Sequence, residues 1–165
     1  MNGARRNLQR LFVLAGLAVT ACGFQLRGDV HYPPGMETTY IDAEDHYSPF
    51  YAELRSALLE SGVQLANAPI GAGATVHVLK DDTGQRILSV SARNTPVEYE
   101  IYYVIRYSLE MGGKESISPQ RLALTREYTW DETAVLGKSE EADTLRRALA
   151  QDLVALVSRR LATAQ

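Results

Sequence analysis

The alternation of hydrophobic and polar positions changes period several times along this chain, and each change marks an element. The sharpest pattern is "VEYEIYYVIRYSLEM", residues 97–111. Tyr99, Ile101, Tyr103, Ile105, Tyr107, Leu109 and Met111 alternate there with Glu98, Glu100, Tyr102, Val104, Arg106, Ser108 and Glu110. Strict period two predicts a half-buried strand, extending nearly 50 Å at about 3.4 Å per residue. One face packs on helices; the other is solvated or docks a partner. Tyr102 is the one aromatic on the polar face.

Upstream, "TTYIDA" (Thr38 to Ala43) is β-branched and aromatic, and predicts a first strand. In "SPFYAELRSALLESG" the period changes to 3.6. Phe50, Leu54, Ala57, Leu58 and Ser61 fall on one helical face, with Ser48 as N-cap, Pro49 at the first helical position and Gly62 as the stop. "ANAPIGAGA" predicts a loop. Its Gly71 and Gly73 lack the third glycine, lysine and following helix of a phosphate cradle. "TVHVLKDDTGQRILSVSA" predicts strands on both sides of a hairpin-like break or bulge near Gly84, because Asp81-Asp82-Thr83-Gly84 is turn chemistry.

Beyond the long strand, "MGGKESISPQ" predicts a turn region. "RLALTREYTW" predicts a strand with Leu122, Leu124, Arg126, Tyr128 and Trp130 on one face. A last helix is expected from about Glu140 to Leu161, capped by Ser139. Glu140, Glu141 and Asp143 lie in its first turn and Arg159 and Arg160 in its last, as the helix dipole prefers. Leu145, Leu149, Leu153, Leu156 and Arg160 or Leu161 form its buried stripe. The order β-α-β-β-β-α predicts an α+β, two-layer sandwich: a mainly antiparallel sheet of about four strands packed by two α-helices.

Composition changes this picture mainly at the N-terminus. The chain has 165 residues, 45% hydrophobic and 22% charged, which suits one globular domain. Residues 1–21 differ: Arg5, Arg6 and Arg10 precede the uncharged "LFVLAGLAV" and then small residues. That is an export-signal pattern, too short to span a bilayer. Residues 1–21 therefore predict a removed signal peptide, 22–37 a lipid-anchored tether with paired prolines, and 38–165 a single α+β domain. Without the three leader arginines, the chain holds 14 of its 17 basic residues against 20 acids. Such a charge excludes nucleic acid as a general partner and leaves only local cationic clusters for anions.

The one cysteine, Cys22, stands where the leader ends. A single thiol makes neither an intramolecular disulfide nor a good metal site. Val19-Thr20-Ala21-Cys22 resembles the lipobox of bacterial lipoproteins, which implies a diacylglycerol on the Cys22 sulfur and an acyl chain on its amino group. Several acyl chains together anchor firmly. Gly23, rather than Asp, after Cys22 implies the outer membrane by the same resemblance. The plainer alternative is a secreted protein with an incidental cysteine at an ordinary cleavage site.

No pattern of catalysis emerges. His31, His46 and His77 are scattered, and the chain holds no H-E-x-x-H, C-x-x-C or G-x-S-x-G. Glu98 and Glu100 share a strand face, which a solvated surface explains better than a carboxylate pair for glycoside hydrolysis. The expectation is a protein that is not an enzyme.

These stretches together resemble the LPS-assembly lipoprotein LptE family. "CGFQLRG" is similar to the family's mature start. "RN…EYEI" (Arg93 to Ile101), Arg126 with Tyr128, and "AVLGK" (Ala134 to Lys138) before an acidic helix continue the likeness in order and spacing. The resemblance implies an outer-membrane lipoprotein on the periplasmic side that plugs the LptD β-barrel and assists lipopolysaccharide assembly. It implies no cofactor beyond the acyl groups on Cys22, and it places lipopolysaccharide-binding residues at Arg93 and Lys138. A second class stays open: a lipid-anchored periplasmic lipoprotein that binds a small ligand or the cell wall.

Overall fold

The fold is taken from a computed structural model, which describes residues 30–164. The expected leader, Cys22 and the tether up to residue 29 lie outside the described residues. The elements run β1 (Thr38–Ala43), α1 (Pro49–Glu60), β2 (Gln64–Leu65), β3 (Ala74–Val90), β4 (Pro96–Met111), β5 (Lys114–Thr129) and α2 (Val135–Leu161). Short 3-10 turns precede β1 (Pro34–Met36) and α2 (Glu132–Ala134). One sheet has the order β2-β1-β3-β4-β5. β1 runs parallel to β2 and β3, while β3, β4 and β5 are antiparallel. The fold is α+β in two layers, with five strands where about four were expected. The extra one, β2, is two residues long, too short for any periodicity to reveal.

β4 carries the core as its alternation predicts: Ile101, Tyr103, Ile105, Tyr107 and Leu109 are buried under the helices. α1 begins as its cap predicts, with Ser48 Oγ accepting the Tyr51 N–H at 3.0 Å, and it buries Phe50, Leu54 and Leu58. Met36 is fully buried in the same core, so the chain joins the domain body before the expected tether end at residue 37. A Leu-sized side chain buried here contributes about 2 kcal/mol by area.

Four expectations are corrected. First, β3 runs unbroken through Gly84, which pairs with Tyr102. A Cβ there would sit 2.5 Å from Tyr102 Oη, so glycine leaves room for the tyrosine ring on the polar face. The turn residues Asp81 to Gly84 are held extended because β4 supplies their ladder partners. Second, the bulge lies at Leu79: the register steps from Val78↔Tyr107 to Lys80↔Arg106. One extra residue changes which side chains face the core. Ala74, Val76 and Val78 face the helices before it; Asp81, Thr83 and Gln85, opposite Ile105, Tyr103 and Ile101, face them after it.

Third, β5 starts at Lys114, because Gly112 and Gly113, with φ 56 and 76, make the whole β4–β5 turn. Pro119 is tolerated because β5 is an edge strand. Fourth, α2 begins at Val135 rather than Glu140, so Ser139 lies inside it and no acid occupies its first turn. Its buried positions are Ala142, Leu149, Ala150, Leu153, Val154, Val157 and Leu161; Leu156 is half-buried and Arg160 exposed.

One polar cluster ties the start of α1 to the sheet. Ser48 Oγ donates to Asp81 Oδ2 at 2.5 Å, and the Phe50 N–H donates to Tyr103 Oη at 3.0 Å. Burial raises Asp81 above the usual carboxylate range, against the Ser48 and Tyr103 hydroxyls that hold it down; Asp45 and Asp82 add to the rise. Burial, then the charge of Asp81, pushes the Tyr103 hydroxyl well above its ordinary value.

Two outcomes are expected. Deleting Leu79 joins Val78 directly to Lys80 and leaves residues 80–87 on their present faces in a regular ladder, so the domain should still fold and lose no more than about 2 kcal/mol; a loss on the order of 4 kcal/mol or more in urea unfolding would contradict Leu79 as the extra residue. Asp81 binds its proton more tightly folded than unfolded. The stability linked to that proton is complete below about pH 4 and is lost as pH rises through the higher folded value. Wild type should therefore lose stability relative to Asp81→Asn across that window, measured as denaturation midpoints; a difference that does not change with pH counts against it.

Candidate functional site

The turn Ser91–Thr95 joins β3 to β4 and leaves Arg93 exposed. Local bonds shape it: the Ser91 N–H donates to the Thr95 carbonyl at 2.8 Å, and the Arg93 N–H donates to Ser91 Oγ at 3.3 Å. Asn94 takes the left-handed conformation, φ 61, that asparagine tolerates in turns. The guanidinium itself is held by no ion pair among the described residues.

Lys138 sits in the first turn of α2, where a loop had been expected before the helix. Its Nζ donates to Glu141 Oε2 at 2.7 Å, and its side chain is 21% exposed. β5 delivers the chain to that helix: the Trp130 N–H donates to the Val97 carbonyl at 2.8 Å, at the end of the sheet that bears the Arg93 turn. The structure thus brings Arg93 and Lys138 to one end of the domain without contact between their side chains. The described chain enters at the other end, where the Gly112 N–H meets the Gly73 carbonyl and the Gly73 N–H the Thr38 carbonyl. Sixteen steps along β3 separate the two ends, roughly 50 Å. Cys22, outside the described residues, lies upstream of the entry end.

Near Lys138 lies an aromatic cluster that sequence reasoning left as core. Tyr99 stacks on Tyr128 at 5.7 Å and meets Trp130 edge-on at 5.5 Å. Burial raises the Tyr128 hydroxyl, helped by Tyr99 and Glu141; Arg146 and Lys138 oppose it. The Tyr99–Tyr128 cross-strand pairing was readable in principle from two strands with tyrosines on one face, had the register been known. Amphipathic rings near a lysine suit a ligand with apolar and anionic parts.

The open face of the sheet, turned from both helices, is polar along its length. His77 Nδ1 lies 2.8 Å from Asp42 Oδ2 and its Nε2 3.9 Å from Glu110. Arg86 lies 2.5 Å from Glu100 Oε1, the one buried carboxylate of this face. Glu98 receives the Ser89 hydroxyl at 2.6 Å, so Glu98 and Glu100 are each occupied by a neighbour on β3. On the helix side, a groove of about 590 Å³ between α1 and α2 is lined by Tyr32, Ala57, Ser61, Val154 and Ser158. Among the described residues, no group of three or more His, Cys, Asp or Glu could hold a metal ion.

The lipopolysaccharide-assembly LptE family model matches residues 36–161. The LPS-assembly lipoprotein LptE of Pectobacterium atrosepticum is 28% identical over 159 residues, covering 93% of this chain and 86% of that one. The protein of the same name from Yersinia enterocolitica is 27% identical over 154 residues, covering 90% and 74%. Among solved structures, lipoprotein B of Nitrosomonas europaea has TM-score 0.69 at 25% identity, covering 85% of this chain and 90% of that one. Rare lipoprotein B of Shewanella oneidensis has TM-score 0.66 at 21% identity, covering 76% and 94%, and shares the fold. Fold, order of elements and family match agree: the chain belongs to the lipopolysaccharide-assembly LptE family.

Proposed function

We propose that this protein is an outer-membrane lipoprotein, acylated on Cys22 at the periplasmic side, that plugs the LptD β-barrel and assists lipopolysaccharide assembly without catalysing a reaction. Its relatives named LPS-assembly lipoprotein support the process. The single observation that carries the site is the convergence of Arg93 and Lys138 on one end of the domain, with the chain entering at the other. A lipid anchor at the near end leaves the cationic end projecting roughly 50 Å away from it. There the two cations meet phosphates through charge-assisted hydrogen bonds, which are stronger than neutral ones. Glu141 keeps Lys138 oriented until an anion competes for it. The polar open face suits the polar wall of a water-filled lumen.

The test is lipopolysaccharide binding by the purified full chain. Arg93→Glu with Lys138→Glu removes two charge-assisted contacts and should weaken binding by roughly tenfold or more. Arg93 is exposed, so its substitution should leave the thermal midpoint close to wild type; Lys138 is half-buried beside Glu141, so its substitution should lower the midpoint modestly without unfolding the domain. Unchanged affinity in a folded double variant refutes these residues as the binding site.

A further inference from the structure

The register opposes like charges on the open face at the acidic pairs Glu100↔Glu127 and Glu110↔Glu115 and at one cationic row. Lys80 on β3 pairs directly with Arg106 on β4, and Arg106 pairs directly with Arg121 on β5. Directly opposed residues share a face, about 5 Å apart, so three cations stand in a row across three strands. All three are exposed. Lys80 has Asp82 at 3.2 Å. Among the described residues, neither the Arg106 nor the Arg121 side chain has an ion-pair or hydrogen-bond partner. Like charges directly opposite destabilise a sheet. Elsewhere on this face His77 has Asp42 beside it and Arg86 has Glu100.

We infer that the row Lys80–Arg106–Arg121 is a docking band for a carboxylate-bearing surface on a β-structured protein partner. This deepens the proposed function and rests on its reading of the chain as a plug within a polar barrel. Three features favour a protein wall over a lipid phosphate. The band lies on the open sheet face, outside the groove lined by α1 and α2. Its cations repeat at the spacing of neighbouring strands, which a facing β-surface presents in the same rhythm. It lies about nine residues along β4 from the Arg93 end, roughly 30 Å from the proposed lipopolysaccharide site. Guanidinium groups suit the role because each takes a carboxylate through two parallel hydrogen bonds, and the pair gains most where water is excluded.

The test uses the lipidated full chain co-expressed with LptD and extracted in detergent. Arg106→Glu with Arg121→Glu should lower the barrel recovered with the protein at least tenfold, while lipopolysaccharide binding by the purified variant stays at the wild-type level. Raising salt from about 50 mM to about 500 mM should lower wild-type recovery more than that of Arg106→Gln with Arg121→Gln. The glutamine variant, freed of cross-strand repulsion, should melt at or above the wild-type temperature. Undiminished barrel recovery with the glutamate variant overturns the proposal. So does a lower melting temperature of the glutamine variant, which would make the arginines structural. Lost lipopolysaccharide affinity with undiminished barrel recovery also overturns it, and assigns the band to lipid phosphate. If the wild-type chain itself recovers no barrel, the plug reading falls and this inference falls with it.

Discussion

The extra residue at Leu79 is the constraint on which both faces of the sheet depend. β3 must do two jobs along seventeen residues. Near its start it is sandwiched between β1 and β4 and needs apolar side chains inward at Ala74, Val76 and Val78. Further on it must offer Asp81 to the start of α1 and Thr83 and Gln85 to the tyrosine-rich face of β4. Without the bulge, one parity would hold throughout, and Lys80, Asp82 and Arg86 would point into the helix layer. With it, these charges stand on the open face, and Ser48, Asp81, Tyr103 and the Phe50 N–H form the bonded junction that seats α1. Fold and surface chemistry are therefore set by the same local feature.

From that arrangement follows a domain with two unlike ends and two unlike faces. The chain enters beside the Gly112–Gly113 turn, while Arg93, Lys138 and the Tyr99–Tyr128–Trp130 cluster occupy the far end. The helix layer is joined by α1–α2 contacts such as Gln151 to Glu53 at 3.2 Å, and by Arg126 to Asp152 at 2.7 Å from β5 to α2. Exposed pairs of this kind add little stability each; the buried tyrosines and leucines beneath them supply most of it. The open face adds no core and is free to be charged.

Much of this was legible in the sequence, for physical reasons that differ by element. β4 announced itself because one buried and one open face impose period two over its whole length. α1 did so because Ser48 and Pro49 are the residues its first turn needs. The start of α2 was missed because Ala134 makes no side-chain cap while Ser139, inside the helix, looks like one. The first half of β5 hid behind Pro119 and its serines, which an edge strand accommodates. Asp81-Asp82-Thr83-Gly84 suggested a turn, and local propensity lost to cross-strand pairing; the change from even to odd inward positions after Val78 was the better signal. Arg93 and Lys138 came from family likeness and from no periodicity. The Lys80–Arg106–Arg121 row was beyond sequence reasoning, since its members meet only through the register.

If Arg93 and Lys138 meet lipopolysaccharide, the two ends of the domain differ in lipid chemistry. Photo-crosslinking in intact cells tests it most directly, with a photoreactive amino acid placed at Ala92 beside the Arg93 turn or at Lys114 beside the Gly112–Gly113 turn. Both positions are exposed, so neither should disturb the fold. Lipopolysaccharide adducts are expected from position 92 and few or none from 114. Adducts of equal yield from both ends, or from position 114 alone, would contradict it.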